Sequence, residues 1–186
     1  MGELLIPAAT TGDARVPKRF IHRHQADVCT PCWLKAGLGA FAAFDVALLL
    51  GDITGASVIV APLAASAVLV YGVPESPLSQ PAHVVGGHVI AAAVALAADH
   101  WLPHSAWMVA ATPALVIVLL GLMRLTHPPA AATAMAVVLT HPSWTFLLTP
   151  VLSGATTLVV VAIAVHRLPP RARYPLPRPQ ASACET

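Results

Sequence analysis

The strongest constraint on this fold is where charge is missing. No Asp, Glu, Lys or Arg falls between Asp52 and Glu75, between Glu75 and Asp99, or between Arg124 and Arg167. An apolar run of roughly 18 residues or more reads as a membrane span. Three such gaps in one short chain leave little sequence for a water-facing surface. Of the 186 residues, 57% are hydrophobic and only 10% charged, whereas soluble domains carry about 25% charged residues. The reading is an all-α integral membrane protein, a bundle of roughly 4–6 transmembrane helices.

Six apolar segments are expected, over residues 35–50, 57–73, 83–98, 105–124, 128–140 and 143–166. The fifth, at about 1.5 Å per residue, reaches roughly 20 Å, short of a hydrocarbon core of about 30 Å. It and the second segment read as short, broken or re-entrant helices packed inside the protein. Residues 1–32 form a polar N-terminal tail, 33–167 the transmembrane domain, and 168–186 a disordered C-terminal tail. Lys18, Arg19, Arg23 and Lys35 precede the first span, and Arg167, Arg171, Arg173 and Arg178 follow the last. The excess of cations at both ends predicts cytoplasmic termini and an even number of crossings of the cell inner (plasma) membrane.

A near-duplication lies inside this chain. Ala61-Pro62-Leu63-Ala64-Ala65-Ser66-Ala67 returns as Pro128-Pro129-Ala130-Ala131-Ala132-Thr133-Ala134. Each copy is followed by a proline (Pro81, Pro150) and then a glycine (Gly86, Gly154). Two internal repeats are expected, about 35–99 and about 105–167. Proline-headed segments at matching places in two halves are a transporter pattern, with the binding site between the halves.

The residues able to carry chemistry gather around these segments. Pro128 and Pro129 suit a first helical turn, which presents free N–H groups and a positive dipole end to a small anion. His127 stands just before them and Arg124 one turn earlier, so the two are candidates for an anion gate. Pro62, Ser66 and Thr133 occupy corresponding places in the repeat. Ser76 and Gln80 lie in a proline-broken stretch that can line a cavity. Gly87 permits close packing, and His88 falls inside the third span, where an ionisable residue is a functional candidate. His88 and Asp45, the acid inside the first segment, are candidates for proton coupling. His22, His24, Cys29 and Cys32 have the ligand types of a zinc site or, for the two cysteines, of a redox pair; neither role is assigned. No nucleotide cradle or nucleophile–base pair is legible, so no enzymatic activity, no cofactor and no nucleic-acid partner are expected.

Together, His127-Pro128-Pro129, Ala61-Pro62-Leu63-Ala64-Ala65-Ser66-Ala67, Ser76-Pro77-Leu78-Ser79-Gln80-Pro81 and Gly86-Gly87-His88 resemble the HPP family of integral membrane proteins. The resemblance covers roughly residues 33–167. It implies four membrane-spanning helices and, from plant and cyanobacterial relatives, nitrite transport. Where family members often carry a basic residue, this chain has Pro81-Ala82-His83. The function expected is a transporter or channel for a small inorganic anion, nitrite first, working as a homo-oligomer in the lipid bilayer. A non-transporting scaffold, sensor or assembly protein is the alternative.

Overall fold

A computed structural model of the chain describes residues 29–54 and 59–177. Among them the chain is helical and contains no strand. Six α-helices follow in order: α1 (Thr30–Thr54), α2 (Val60–Ala67), α3 (Pro81–Trp101), α4 (Ala106–Leu122), α5 (Pro128–Thr140) and α6 (Ser153–Arg167). Three stretches, Thr30–Leu49, Pro81–Trp101 and Trp144–Arg167, are long and apolar enough to cross a membrane. The other three helices are apolar but shorter.

Prolines set several of the starts. Pro31, Pro81 and Pro128 all sit in first turns, where the missing N–H has no partner to lose. For this reason α1 begins at Thr30 and α3 at Pro81, ahead of the expected starts at 35 and 83. The fifth segment lies at 128–140, as expected. The sixth is not one helix. A 3-10 turn, Trp144–Leu147, and a π-helical turn, Leu148–Leu152, precede α6. Thr149 leaves helical geometry there (φ −134°, ψ 115°), because Pro150 disfavours the helical region for the residue before it.

Irregular backbone inside a membrane must find its partners within the protein. Here α2 continues into a π-helical turn, Val68–Gly72, and side chains serve its carbonyls. His166 Nε2 donates to Val70 O at 2.9 Å. Ser79 Oγ lies 3.0 Å from Leu69 O and 2.8 Å from Val73 O. The Tyr71 hydroxyl donates to Leu158 O at 3.0 Å, tying this turn to α6.

Two apolar cores result. One joins α3, α4 and α5 through Ala91, Ala92, Ala95, Val116, Ala130 and Val137. The other joins α1, the π turn and α6 through Ala43, Val70, Leu158 and Ala162. Large apolar side chains also face outward, among them Leu38, Phe41, Ile117, Val118 and Leu122, as a surface bathed in acyl chains requires. Trp101, Trp107 and Trp144 are exposed at one end of the bundle, and Trp101 and Trp144 stand 6.2 Å apart; tryptophans favour the membrane–water interface.

The segment after α6 departs from the expectation of disorder. Residues 168–177 pack against the end of the bundle: Tyr174 is buried beside His166, and Leu176 N donates to Gln80 Oε1 at 2.8 Å. Residues 178–186, like 1–28, lie outside the described residues.

The approach of α3 to α5 depends on Gly87. A Cβ there would stand 2.9 Å from His127 Cβ and 3.5 Å from Ala130 Cβ. We expect Gly87→Ala to lower stability by about 1–3 kcal/mol, read as a reduced melting temperature in detergent. Gly86→Ala, whose Cβ would meet Leu125 Cδ1 at an ordinary 3.6 Å, should melt with the wild type. Equal melting of both variants would refute this packing.

Candidate functional site

The apolar bundle encloses a line of polar side chains. His127 caps the start of α5 in extended geometry (φ −138°, ψ 100°), the conformation that the following proline imposes. Its ring turns inward, and Nδ1 lies 2.8 Å from Leu78 O. Its other nitrogen, Nε2, lies 2.8 Å from Ser66 Oγ on α2. The same hydroxyl lies 2.7 Å from His88 Nε2 on α3. His88 Nδ1 lies 2.7 Å from Thr133 Oγ1 on α5. Ser66, His88 and Thr133 are 0% exposed and His127 is 1% exposed. The two imidazoles meet edge to face, with centroids 5.1 Å apart.

Chemistry fixes the direction of these bonds. A carbonyl oxygen only accepts, so His127 Nδ1 carries the hydrogen it gives to Leu78. In a neutral imidazole Nε2 is then the acceptor, and the Ser66 hydroxyl donates to it. The Ser66 oxygen in turn accepts from His88 Nε2–H. His88 Nδ1 is left to accept from the Thr133 hydroxyl. Every member is satisfied, as a buried polar network requires.

The line also accommodates a charge. Ser66 Oγ lies 3.1 Å from Pro62 O, a second acceptor for its hydrogen. Protonated at Nε2, His127 would donate to the Ser66 oxygen, and the hydroxyl would rotate onto Pro62. For that proton to go on to His88, the His88 ring would first have to carry its hydrogen on Nδ1, donated to Thr133, with the Ser66 hydroxyl turned onto a free Nε2. Ser66 and Thr133, which match in the two sequence copies, hold opposite nitrogens of one histidine.

The comparisons with known proteins agree with this architecture. The chain matches the HPP transmembrane-region family over residues 26–175. The chain belongs to that family. It is similar to two transmembrane proteins of Dictyostelium discoideum. One is 33% identical over 127 residues, 64% of this chain and 45% of the relative. The other is 33% identical over 121 residues, 61% of this chain and 39% of the relative. This HPP chain thus spans less than half the length of those curated relatives. No solved structure matches it.

The His-Pro-Pro triplet is therefore the segment that feeds His127 into the buried hydrogen-bonded line. Other residues singled out from the sequence lie elsewhere in this HPP protein. Arg124 is exposed and does not reach His127's partners; it ends α4 in left-handed geometry (φ 56°). Arg124 N donates to Gly121 O and Leu125 N to Leu120 O, the bond pair of a Schellman cap. Asp45 is exposed on the outer face of α1, away from His88. Ser76 Oγ accepts from Leu78 N, and Gln80 Nε2 donates to Pro74 O and Ser76 O. Both residues thus build the loop whose Leu78 carbonyl orients His127. Cys29 and Cys32 form a disulfide, which removes both thiols as ligands in this state; His22 and His24 lie outside the described residues.

A hydrophobic pattern cannot reveal that one histidine nitrogen faces a carbonyl 49 residues away. The Leu78 carbonyl accordingly escaped the sequence reading. Removing the shared hydroxyl should expose its structural weight. Ser66→Ala is expected to destabilise the protein by about 1–2 kcal/mol, with Ser66→Thr recovering most of it, in thermal melts of detergent-solubilised protein. A Ser66→Ala variant as stable as wild type would contradict the network.

Proposed function

We propose that this HPP protein carries a small inorganic anion across the membrane, with nitrite the first candidate, coupled to protonation of the His127–Ser66–His88–Thr133 line. The observation that supports this most is the pair of buried imidazoles sharing one hydroxyl with two alternative acceptors. An anion alone is opposed by the hydrocarbon, and a proton travelling with it cancels the charge. The line offers a proton two imidazoles, joined by one hydroxyl once His88 shifts its hydrogen from Nε2 to Nδ1. In the conformation described, all four side chains are buried, which corresponds to a closed state; access would require α5 to separate from α2 and α3.

Uptake of nitrite into proteoliposomes under an inward pH gradient tests the proposal. We expect wild-type uptake to fall about tenfold or more in His88→Gln and Ser66→Ala, with both variants shown to be folded. Arg124→Gly, which suits the left-handed cap, should retain uptake. If folded wild type moves neither nitrite, nitrate, formate nor bicarbonate, the transport reading fails.

A second reading rests on the tightness of the same site. Gly87 leaves no room beside His127, and the network is fully satisfied without a ligand. A scaffold, sensor or assembly protein would have this property, and inert liposomes with intact stability effects would support it. We propose no enzymatic role.

We also propose that the protein works as a homo-oligomer. Leu34, Leu38, Phe41, Asp45 and Leu48 are all exposed on α1, at the alternating spacing of four and three that marks a helix–helix seam. A single polar residue in such a seam sets register, and an acid facing lipid gains from a partner helix. With Cys29, Cys32 and Cys184 replaced, Phe41→Cys should cross-link two copies in membranes, whereas Val118→Cys on α4 should not. Equal cross-linking at both positions would refute this seam.

A further inference from the structure

Apart from the buried line, one cluster of metal-ligating side chains stands out among the described residues. Asp99 lies in the last turn of α3, His104 in the loop that follows, and His141 at the end of α5. Asp99 Oδ1, His104 Nε2 and His141 Nδ1 lie within 4.8 Å of one another. We propose that these three residues form a binding site for a divalent transition-metal ion of the zinc type.

The donor set fits. Two imidazoles and a carboxylate, with the fourth position left to water, are a recurring zinc arrangement. Bonds of about 2.0–2.1 Å in a tetrahedral site place ligand atoms roughly 3.3 Å apart. Asp99 Oδ1 and His104 Nε2 are already 3.4 Å apart. Asp99 Oδ1 and His141 Nδ1 are closer, at 2.6 Å; to admit an ion that pair must open by less than about 1 Å and His141 must carry its hydrogen on Nε2. His104 Nε2 also reaches Asp99 O at 3.0 Å; to bind a metal it must carry its hydrogen on Nδ1 instead.

Access and rigidity fit as well. The Asp99 side chain is 12% exposed, whereas those of His104 and His141 are 55% and 45% exposed. The carboxylate is thus held at the base of the cluster while the imidazoles face the open side, where an ion and its water can enter. The two rings lie parallel, 5° apart in plane with centroids 4.3 Å apart. The nitrogen lone pairs lie in the ring planes, so one ring must tilt out of this stack for both to reach one ion. His141 is carried in left-handed geometry (φ 49°) just after α5 and before Pro142, which fixes where its ring emerges. An ion here would tie the end of α3 to the end of α5.

Zinc titrated into the purified, tag-free full chain in detergent tests the site by calorimetry, with cobalt as a spectroscopic stand-in. We expect one ion per chain. A melting temperature about 5 °C higher or more is expected at saturation, and the cobalt spectrum should be tetrahedral without thiolate charge-transfer bands. Asp99→Asn, His104→Ala and His141→Ala should each weaken binding at least tenfold, while the Cys29→Ser/Cys32→Ser variant binds as wild type. Binding that survives the three cluster variants, binding lost with the cysteines, or no binding by folded wild type would each overturn the proposal. The readout is independent of transport, so inert liposomes leave it standing.

Discussion

A histidine buried in the middle of an apolar helix imposes a strict condition: both ring nitrogens need partners where water and lipid supply none. His88 meets that condition with Ser66 on one side and Thr133 on the other. Those hydroxyls belong to α2 and α5, so the condition draws three helices to one point. Helices approach that closely only where side chains are small. Gly87, Ala91, Ala92 and Ala95 on α3, and Ala130 and Ala134 on α5, are buried at or beside the contact. The alanine-rich packing and the polar line are thus two parts of one solution.

The same condition explains why the short helices are short. Neither α2 nor α5 needs to cross the membrane as an upright cylinder, because each packs one face against longer neighbours. Where their backbones become irregular, side chains take over: His166 serves Val70 O, Ser79 serves the carbonyls of the π turn, and Gln80 closes the following loop. Of these polar residues, Gln80 reads from sequence as a possible ligand contact. In the fold, most serve backbone groups that a continuous helix would have satisfied for itself.

That difference marks what could be read in advance. The missing charges and the 13-residue segment from Pro128 to Thr140 announced the class of fold and one helix to the residue. His127, His88, Ser66 and Thr133 were also legible as candidates, since a polar group in an apolar run must serve some purpose. Their mutual connection was not legible. It depends on the crossing of α2, α3 and α5, and no local pattern encodes a crossing. Arg124 shows the opposite limit: its place one turn before His127 suggested partnership, but the left-handed residue that ends α4 turns the chain away from that site. The proximity of Asp99, His104 and His141 too arises only once α3 and α5 pack side by side.

α3 and α5 also connect the two clusters mechanically. From His88 to Asp99, α3 rises three turns, about 16 Å, and α5 runs alongside from His127 to His141. The buried hydrogen-bonded line holds the pair together at one level, and the Asp–His cluster does so at the end. A rigid helix cannot part from its neighbour at one level without straining or pivoting at the other. Any opening between α3 and α5 near Ser66 must therefore bend one of the helices, slide it along its axis, or swing it about the Asp99–His141 contact. Helix α5, 13 residues long and bounded by Pro128 and by the left-handed His141, is the element best built to swing. Its two ends are held by histidines, and a bond to a histidine is one that a proton or a metal ion can rearrange.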